Sequence, residues 1–411
     1  MSTSATASSD PSRRAQQRNL PLFLVYAVTG ALAFSRGVFL LYLTSRGVTD
    51  GQSGVLQASL FVANFLFEVP TGVLGDRFGR RWSVLIGVGL QISTTLGMLW
   101  GPGTFWSFLV LFVLNGIAFS FISGSGQALL FDTLKSLERE GDYLLVNSRL
   151  QSAQMATLAL AIVVGGYLAQ VSWGLVYGAN ALALSVSWLA LWLIREDRSV
   201  YRGAADEPDQ EPMVPIREAV MALARSGPGR RLILFSVGCA LVEATTTPYF
   251  IYTQRLFTGY SFHPWQIGWI YASAQIVSAG AMAWLGRFAP AAADVPRALV
   301  AGSVAVAAFT ALNGLGSPWV SLGLVFVVVT IPDLIYLLTD RHIQENIDSR
   351  ARATLLSMHS LINAVGVSVG YLVWGRLFEL LPMPAAYAWS GVMALAAAAL
   401  FSLSFRRPPH A

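Results

Sequence analysis

Apolar residues run through this chain in repeated stretches of roughly 20, the length a helix needs to cross the hydrocarbon core of a bilayer. They fall at about 20–44, 53–74, 83–101, 105–131, 148–170, 173–194, 231–252, 265–286, 297–315, 318–339, 353–375 and 384–405, which predicts twelve spanning helices. Only one long polar interruption occurs, from Glu196 to Arg230, and it divides six spans from six. The expected organisation is therefore an N-terminal six-helix bundle (1–195), a cytoplasmic central loop (196–230) and a C-terminal six-helix bundle (231–411). Within the loop, DEPDQEP precedes IREAVMALAR, whose apolar residues have helical spacing. That reads as a flexible linker carrying one surface helix.

Composition sharpens the class. Of 411 residues, 55% are hydrophobic and 12% charged, against about 25% charged in soluble domains. The fold class is all-α integral membrane. A net charge of +5 raises nucleic acid as a partner, but no basic face interleaved with aromatics supports it. The basic residues instead mark sidedness. With both termini inside, Arg13, Arg14, Arg18, Arg77, Arg80, Arg81, Lys135, Arg139 and Arg149 share the cytoplasmic side, and only Arg46, Arg255 and Arg376 fall outside. The polar start, MSTSATASSDPSRRAQQRN, reads as a cytoplasmic tail, and the lone Cys239 leaves no disulfide framework or thiolate metal site.

The halves echo each other. Gln52-Ser-Gly54-Val-Leu-Gln-Ala58-Ser59 opens span 2, and Gln266-Ile-Gly268-Trp-Ile-Tyr-Ala272-Ser273 opens span 8, with four identities at a constant offset of 214. Arg46 and Arg255 precede the two blocks at nearly the same distance, and Gly166-Tyr167-Leu168 of span 5 matches Gly370-Tyr371-Leu372 of span 11. Paired six-helix bundles of this kind form a transporter architecture, with substrate at the midplane between rocking halves.

Between spans 2 and 3 a knot of charge follows an oily run: Gly72-Val-Leu-Gly75-Asp76-Arg77-Phe-Gly79-Arg80-Arg81. Gly72 and Gly75 lack side chains and so admit close approach of another helix. Gly79 permits a tight reversal. Asp76 can face a helix N-terminus, and Arg80 and Arg81 hold the loop at the water boundary. The segment resembles the signature loop of the major facilitator superfamily, in the form G-x-L-x-D-R-x-G-R-R. The resemblance implies two pseudo-symmetric six-helix bundles, and a latch between the halves on the cytoplasmic side. In it the acid sits near the start of span 11, and an arginine sits near an acid ending span 4, here Asp132. The second half has only Leu285-Gly286-Arg287-Phe288, without the acid, so the latch is expected to be one-sided.

Four ionisable residues lie inside spans: Arg36, Glu68, Glu243 and Asp333. Each needs a partner or a wet cavity. The resemblance places spans 1, 4, 7 and 10 around the central cavity, and three of the four charges fall on that set. Arg36 and Glu243, at similar depth, are expected to face each other across it. Asp333 has Gln127 as its approximate counterpart in the first half. A carboxylate held away from water takes up a proton more readily, so Glu243 and Asp333 are the candidates for proton coupling, with permanent pairing to Arg36 as the alternative. Glu68 either biases the gate or hydrogen-bonds backbone freed by Pro70. His359 and Asn363, one turn apart, form a possible polar track. Phe34, Phe39, Tyr42, Tyr249, Phe250, Tyr252 and Tyr336 lie near the cavity charges and would suit an amphipathic or planar substrate.

FEVPTG before the loop, FDTLK ending span 4 and Arg352-Ala353-Thr354-Leu355-Leu356-Ser357 opening span 11 resemble bacterial drug and metabolite exporters of the superfamily. The expectation is a secondary active transporter working by alternating access, exporting a small amphipathic or drug-like molecule in exchange for protons. Two departures stand against an antiporter: Ser120 where antiporters often carry an arginine, and Ala161-Ile162 where they carry Gly-Pro before a double glycine, kept here as Gly165-Gly166. Uptake of a sugar, amino acid or organic ion remains the alternative, and a membrane sensor the alternative of another class. No H-E-x-x-H or phosphate-binding glycine loop points to an enzyme. The chain is expected to be a monomer in the cell membrane, multi-pass with both termini cytoplasmic, contacting lipid and a small-molecule substrate, with no cofactor beyond a proton gradient.

Overall fold

The computed structural model describes residues 18–196, 227–287, 294–346 and 352–405. Arg13 and Arg14 of the tail, the linker sequence IREAVMALAR and the side chains of Arg352 to Ser357 lie outside the described residues. No strand occurs among the described residues. The helices make twelve spans, because in hydrocarbon a continuous helix satisfies every backbone group internally. Span 1 comprises Asn19–Gly30 and Phe39–Ser45; spans 2 to 6 are Asp50–Phe78, Arg80–Trp100, Phe105–Ser136, Tyr143–Val171 and Trp173–Leu193. Spans 7 to 11 are Gly227–Gly259, Pro264–Arg287, Val295–Leu312, Pro318–Asn346 and Arg352–Leu380, and span 12 comprises Met383–Ser390 and Val392–Ser404. Ten of these are long and apolar enough to cross a membrane on that ground alone. The other two are the interrupted span 1 and the more polar span 8.

Span 1 departs from the sequence expectation of one helix over 20–44. It unwinds between Gly30 and Phe39, around Arg36, with no proline in the gap. Side-chain amides account for it. The Asn180 carboxamide oxygen of span 6 accepts from the Phe34 N–H at 2.7 Å. Gln254 of span 7, in the other half, accepts from the Leu40 N–H at 3.0 Å and donates to the Arg36 carbonyl at 3.1 Å. Backbone groups lost from the helical ladder thus find partners, as buried polar groups must.

The repeat blocks acquire physical meaning as seals. Gln52 accepts from the Thr49 N–H at 3.0 Å and Gln266 from the His263 N–H at 2.8 Å, so the two glutamines cap the same turn of spans 2 and 8. A Cβ on Gly54 would stand 2.4 Å from the Tyr371 carbonyl of span 11, and one on Gly268 2.8 Å from the Ile162 carbonyl of span 5. Each glycine lets its span press against the opposite half. The expected match of Gly166 with Gly370 is displaced. Gly166 touches the backbone of Pro264 and Trp265, and it is Gly375 that touches Asp50 and Gly51 in the corresponding place, while Gly370 packs on Ala244 of its own half. Two further contacts join residues at the repeat interval of 214, Leu40 with Gln254 and Arg36 with Phe250. A residue that touches its own counterpart lies on the pseudo-twofold axis. Arg255 then corresponds to Leu41, not to Arg46.

Both described chain ends lie on one face, here the terminal face; the opposite face is the distal one. The halves meet toward the distal face, where Leu40, Ala58 and Ile162 of the first half join Tyr249, Tyr252, Tyr271, Trp374 and neighbours in one core cluster. Toward the terminal face the core clusters among the described residues each stay within one half, Phe23 to Ile194 in the first and Phe235 to Phe401 in the second. From Leu66 to Pro70 every residue of span 2 is exposed, as are Val73 and Leu74, and Val365 and Val369 of span 11 are exposed too. Among the described residues the contacts between halves gather at the distal face.

Candidate functional site

Arg36 occupies the unwound turn of span 1. Its guanidinium carbon lies 5.7 Å from the Phe250 ring centroid of span 7, within cation–π range. The residue is solvent-accessible and makes no ion pair among the described residues. Its backbone and side chain both touch the opposite half, so the charge faces the space between halves rather than lipid.

Glu243 does not face it. Asn363 of span 11 donates its amide to the Glu243 carboxylate at 2.9 Å. Phe250 is two turns further along span 7, about 10 Å by helical rise, so the cation and the carboxylate sit at different depths. The other Asn363 amide atom, Oδ1, is buried without a partner. One turn nearer the terminal face His359 Nδ1 hydrogen-bonds Ser236 Oγ at 3.2 Å. Two polar cross-links, Ser236–His359 and Glu243–Asn363, therefore tie spans 7 and 11. Asp333 pairs with neither charge; Ser278 of span 8 donates its hydroxyl to it. Gln127 lies with Ser123 and Gly124 on one exposed face of span 4.

Glu68 is exposed on span 2, and its carboxylate makes no hydrogen bond or ion pair among the described residues. The Thr71 hydroxyl donates to the Phe67 carbonyl at 2.7 Å, whereas the carbonyl that Pro70 leaves without its helical donor is that of Leu66. Of the aromatics expected near the cavity, Tyr42, Tyr249 and Tyr252 are fully buried in packed cores, while Tyr336 is exposed. Of the set, Phe250 meets Arg36.

At the charged loop, span 2 ends at Phe78 and span 3 begins at Arg80, so Gly79 makes the whole turn, at φ +110°. That backbone conformation favours glycine. Arg80 Nη1 lies 2.8 Å from Asp132 Oδ2 and its Nε 3.8 Å from Asp76 Oδ1. Arg81 donates to the Leu191 and Trp192 carbonyls that end span 6. Gly75 is pressed against Ser125 and Ser83, whereas a Cβ on Gly72 would meet nothing within 4 Å among the described residues. The Asp76 side chain is 75% exposed, and Arg77 rests over the adjacent Phe78 ring.

The distal seal contains charges the sequence reading passed over. Arg255 of span 7 pairs with Asp50, a buried residue at the start of span 2, and the Tyr252 hydroxyl donates to the Asp50 carbonyl at 2.8 Å. The Thr49 hydroxyl donates to Glu379 of span 11 at 2.7 Å. A hollow of about 350 Å³ opens beside them, lined by Gly51, Gln52, Val55, Leu372, Arg376 and Glu379. These pairs join residues 200 or more positions apart, which no local spacing could reveal. Among the described residues no three His, Cys, Asp or Glu side chains gather as a metal site.

Two six-span halves, closed against each other at the distal face, with a cation between them that makes no ion pair among the described residues, have the architecture of a multi-pass membrane transporter. The comparisons agree. The Major Facilitator Superfamily model matches residues 22–339, and the chain belongs to that family. The crystal structure of a variant of the nucleoside transporter NupG superposes with a TM-score of 0.77 at 14% identity, covering 95% of this chain and 100% of that one. The unsubstituted NupG gives 0.74 at 14% identity, covering 96% and 100%. The POT family transporter PepTSo gives 0.69 at 11% identity, covering 94% and 97%. No curated protein sequence matches the chain.

Proposed function

We propose that this transporter takes up a small organic solute bearing an anionic or acceptor-rich group beside a planar or apolar part, bound between the halves at Arg36. The observation that carries the reading is the accessible, unpaired guanidinium at the break in span 1, stacked on Phe250. A cation at membrane depth needs a counter-charge or strong acceptors, and a substrate can supply them. Glu243 with Asn363 lies about 10 Å nearer the terminal face, a second polar contact for the departing solute.

The basic residues of the terminal-side loops support a cytoplasmic terminal face; on that reading the described state is inward-open and the protein sits in the cell membrane with both ends inside. Residues 1–195 and 231–411 act as the moving halves, joined by 196–230, in a monomer. Glu243 and Asp333 are the groups that would couple transport to a proton gradient. Asp76, Arg77, Arg80, Arg81 and Asp132, with Gly72, Gly75 and Gly79, form the inner latch, open here. Uptake is favoured over export by the missing antiporter features: Ser120 is buried and bonds its own helix at the Ile117 carbonyl, so it cannot stand in for an arginine. Neither named neighbour is described as an exporter.

The test is solute uptake in proteoliposomes across a panel of organic carboxylates, nucleosides, sugars and cationic amphiphiles. For the solute carried, Arg36→Gln raises KM about 10- to 100-fold, the loss of one charged hydrogen bond. An unchanged KM removes Arg36 from the site. Transport confined to cationic amphiphiles refutes the proposed substrate class.

A further inference from the structure

The two groups that Gln254 binds in span 1 are not arbitrary. Leu40 N–H and Arg36 C=O are four residues apart, the donor and acceptor of one ordinary helical hydrogen bond. The Gln254 amide stands between them, its Oε1 on the Leu40 N–H at 3.0 Å and its Nε2 on the Arg36 carbonyl at 3.1 Å. A side chain inserted into the helical ladder is a recognised cause of a break, and here the inserted residue is fully buried and belongs to the opposite half. The corresponding stretch of span 7 stays helical although it contains Pro248, whereas span 1 opens without a proline. Sequence propensity therefore does not explain which of the two breaks; the Gln254 wedge, with Asn180 holding the Phe34 N–H, does.

We infer that Gln254 is a positioning residue that holds span 1 unwound only while the distal face is sealed, and that separation of the halves lets the Leu40 N–H close directly onto the Arg36 carbonyl. Rewinding that turn carries the Arg36 side chain away from Phe250. The inference rests on the reading of Arg36 as the substrate group. Both backbone groups are satisfied in either state, and the freed Gln254 amide meets water in the opened distal cleft, so the switch leaves no orphaned donor or acceptor. Such an element has two discrete arrangements. Substrate held by Arg36 then favours the sealed distal face, and the sealed face presents Arg36; the coupling is reciprocal.

The wedge makes an unusual sign prediction. In the described state the Ser35 and Gly37 amides donate no hydrogen bond among the described residues. Replacing Gln254 by leucine, the residue at its counterpart position Leu40, removes the wedge. Residue-resolved hydrogen exchange on the full chain in nanodiscs should then slow at Ser35 and Gly37 at least tenfold, as the turn rewinds. If Gln254 were merely a tie holding span 1 in place, its loss would loosen the segment and speed exchange; faster or unchanged exchange overturns the inference. Gln254→Glu, nearly isosteric, keeps the acceptor for Leu40 and loses the donor to Arg36, so it should give an intermediate slowing and serves if the leucine variant does not fold. In transport, Gln254→Leu should raise KM about tenfold, and the Arg36→Gln/Gln254→Leu double variant should be no worse than Arg36→Gln alone. If Arg36→Gln transports normally the substrate reading fails, while the exchange measurement still decides the wedge.

Discussion

Gly54 offers the most direct control of which face is open. It lies where span 2 presses on span 11, and an added Cβ would stand 2.4 Å from the Tyr371 carbonyl oxygen and 3.2 Å from the Tyr252 hydroxyl. Ordinary contact begins near 3.4 Å, so the two backbones must part by about 1 Å, a strain of the size that costs roughly 1–3 kcal/mol in packed interiors. The strain exists only while the distal face is sealed, since the contact joins the two halves. Gly54→Ala therefore raises that state alone and shifts the population toward the distally open one about 5- to 150-fold. Ala58 is 5% exposed within the cross-half cluster, so a cysteine placed there, with Cys239 replaced by alanine, should react with a membrane-impermeant thiol reagent only when the seal opens. Labelling should accelerate by that factor in Gly54→Ala. Gly72→Ala is the control: its methyl meets nothing within 4 Å, and labelling should stay at or below the wild-type rate. A Gly54→Ala protein that melts earlier but labels no faster would show that the contact is ordinary packing and that the seal lies elsewhere.

Gly79→Ala forces a side chain into a backbone of φ +110° and should lower stability by about 1–3 kcal/mol, read as a fall in melting temperature in detergent; no fall would mean the turn relaxes freely. Asp333→Asn and Glu243→Gln should abolish gradient-driven uptake while leaving counterflow exchange of the same solute intact, and normal concentration against an imposed pH gradient in both variants would remove proton coupling from these residues.

Spans, their number and the division into two sets of six were legible because lipid imposes a length and an apolar composition on each helix. The tight turn at Gly79 and the pairing of Arg80 with Asp132 followed from local spacing and from the family resemblance. What escaped was long-range. A search for charges inside spans found Arg36, Glu243 and Asp333, but uncharged amides such as Asn180 and Gln254 pass as tolerable members of an apolar run, so the break they create in span 1 left no mark in the hydropathy. Depth counted along separate helices placed Arg36 level with Glu243, whereas the packed halves put the unwound turn of span 1 beside Phe250. The distal pair Asp50 and Arg255 sits at helix ends, where charge is expected for sidedness alone, and only the packed halves distinguish a gate from an anchor. Gly72 shows the converse. Its lack of a side chain is legible, but no surface for it to accommodate lies within 4 Å among the described residues.

The contact between Arg36 and Phe250 has one more implication. Residues meeting on a two-fold line would repel were both of them arginine, so duplicated halves can share that spot only by becoming unlike. A molecule lying across it meets a cation on one flank and an arene on the other, and so has one seating instead of two interchangeable ones. Such a lopsided recess tells head from tail, and positional isomers that set the anionic and apolar groups at different separations should be carried at different rates.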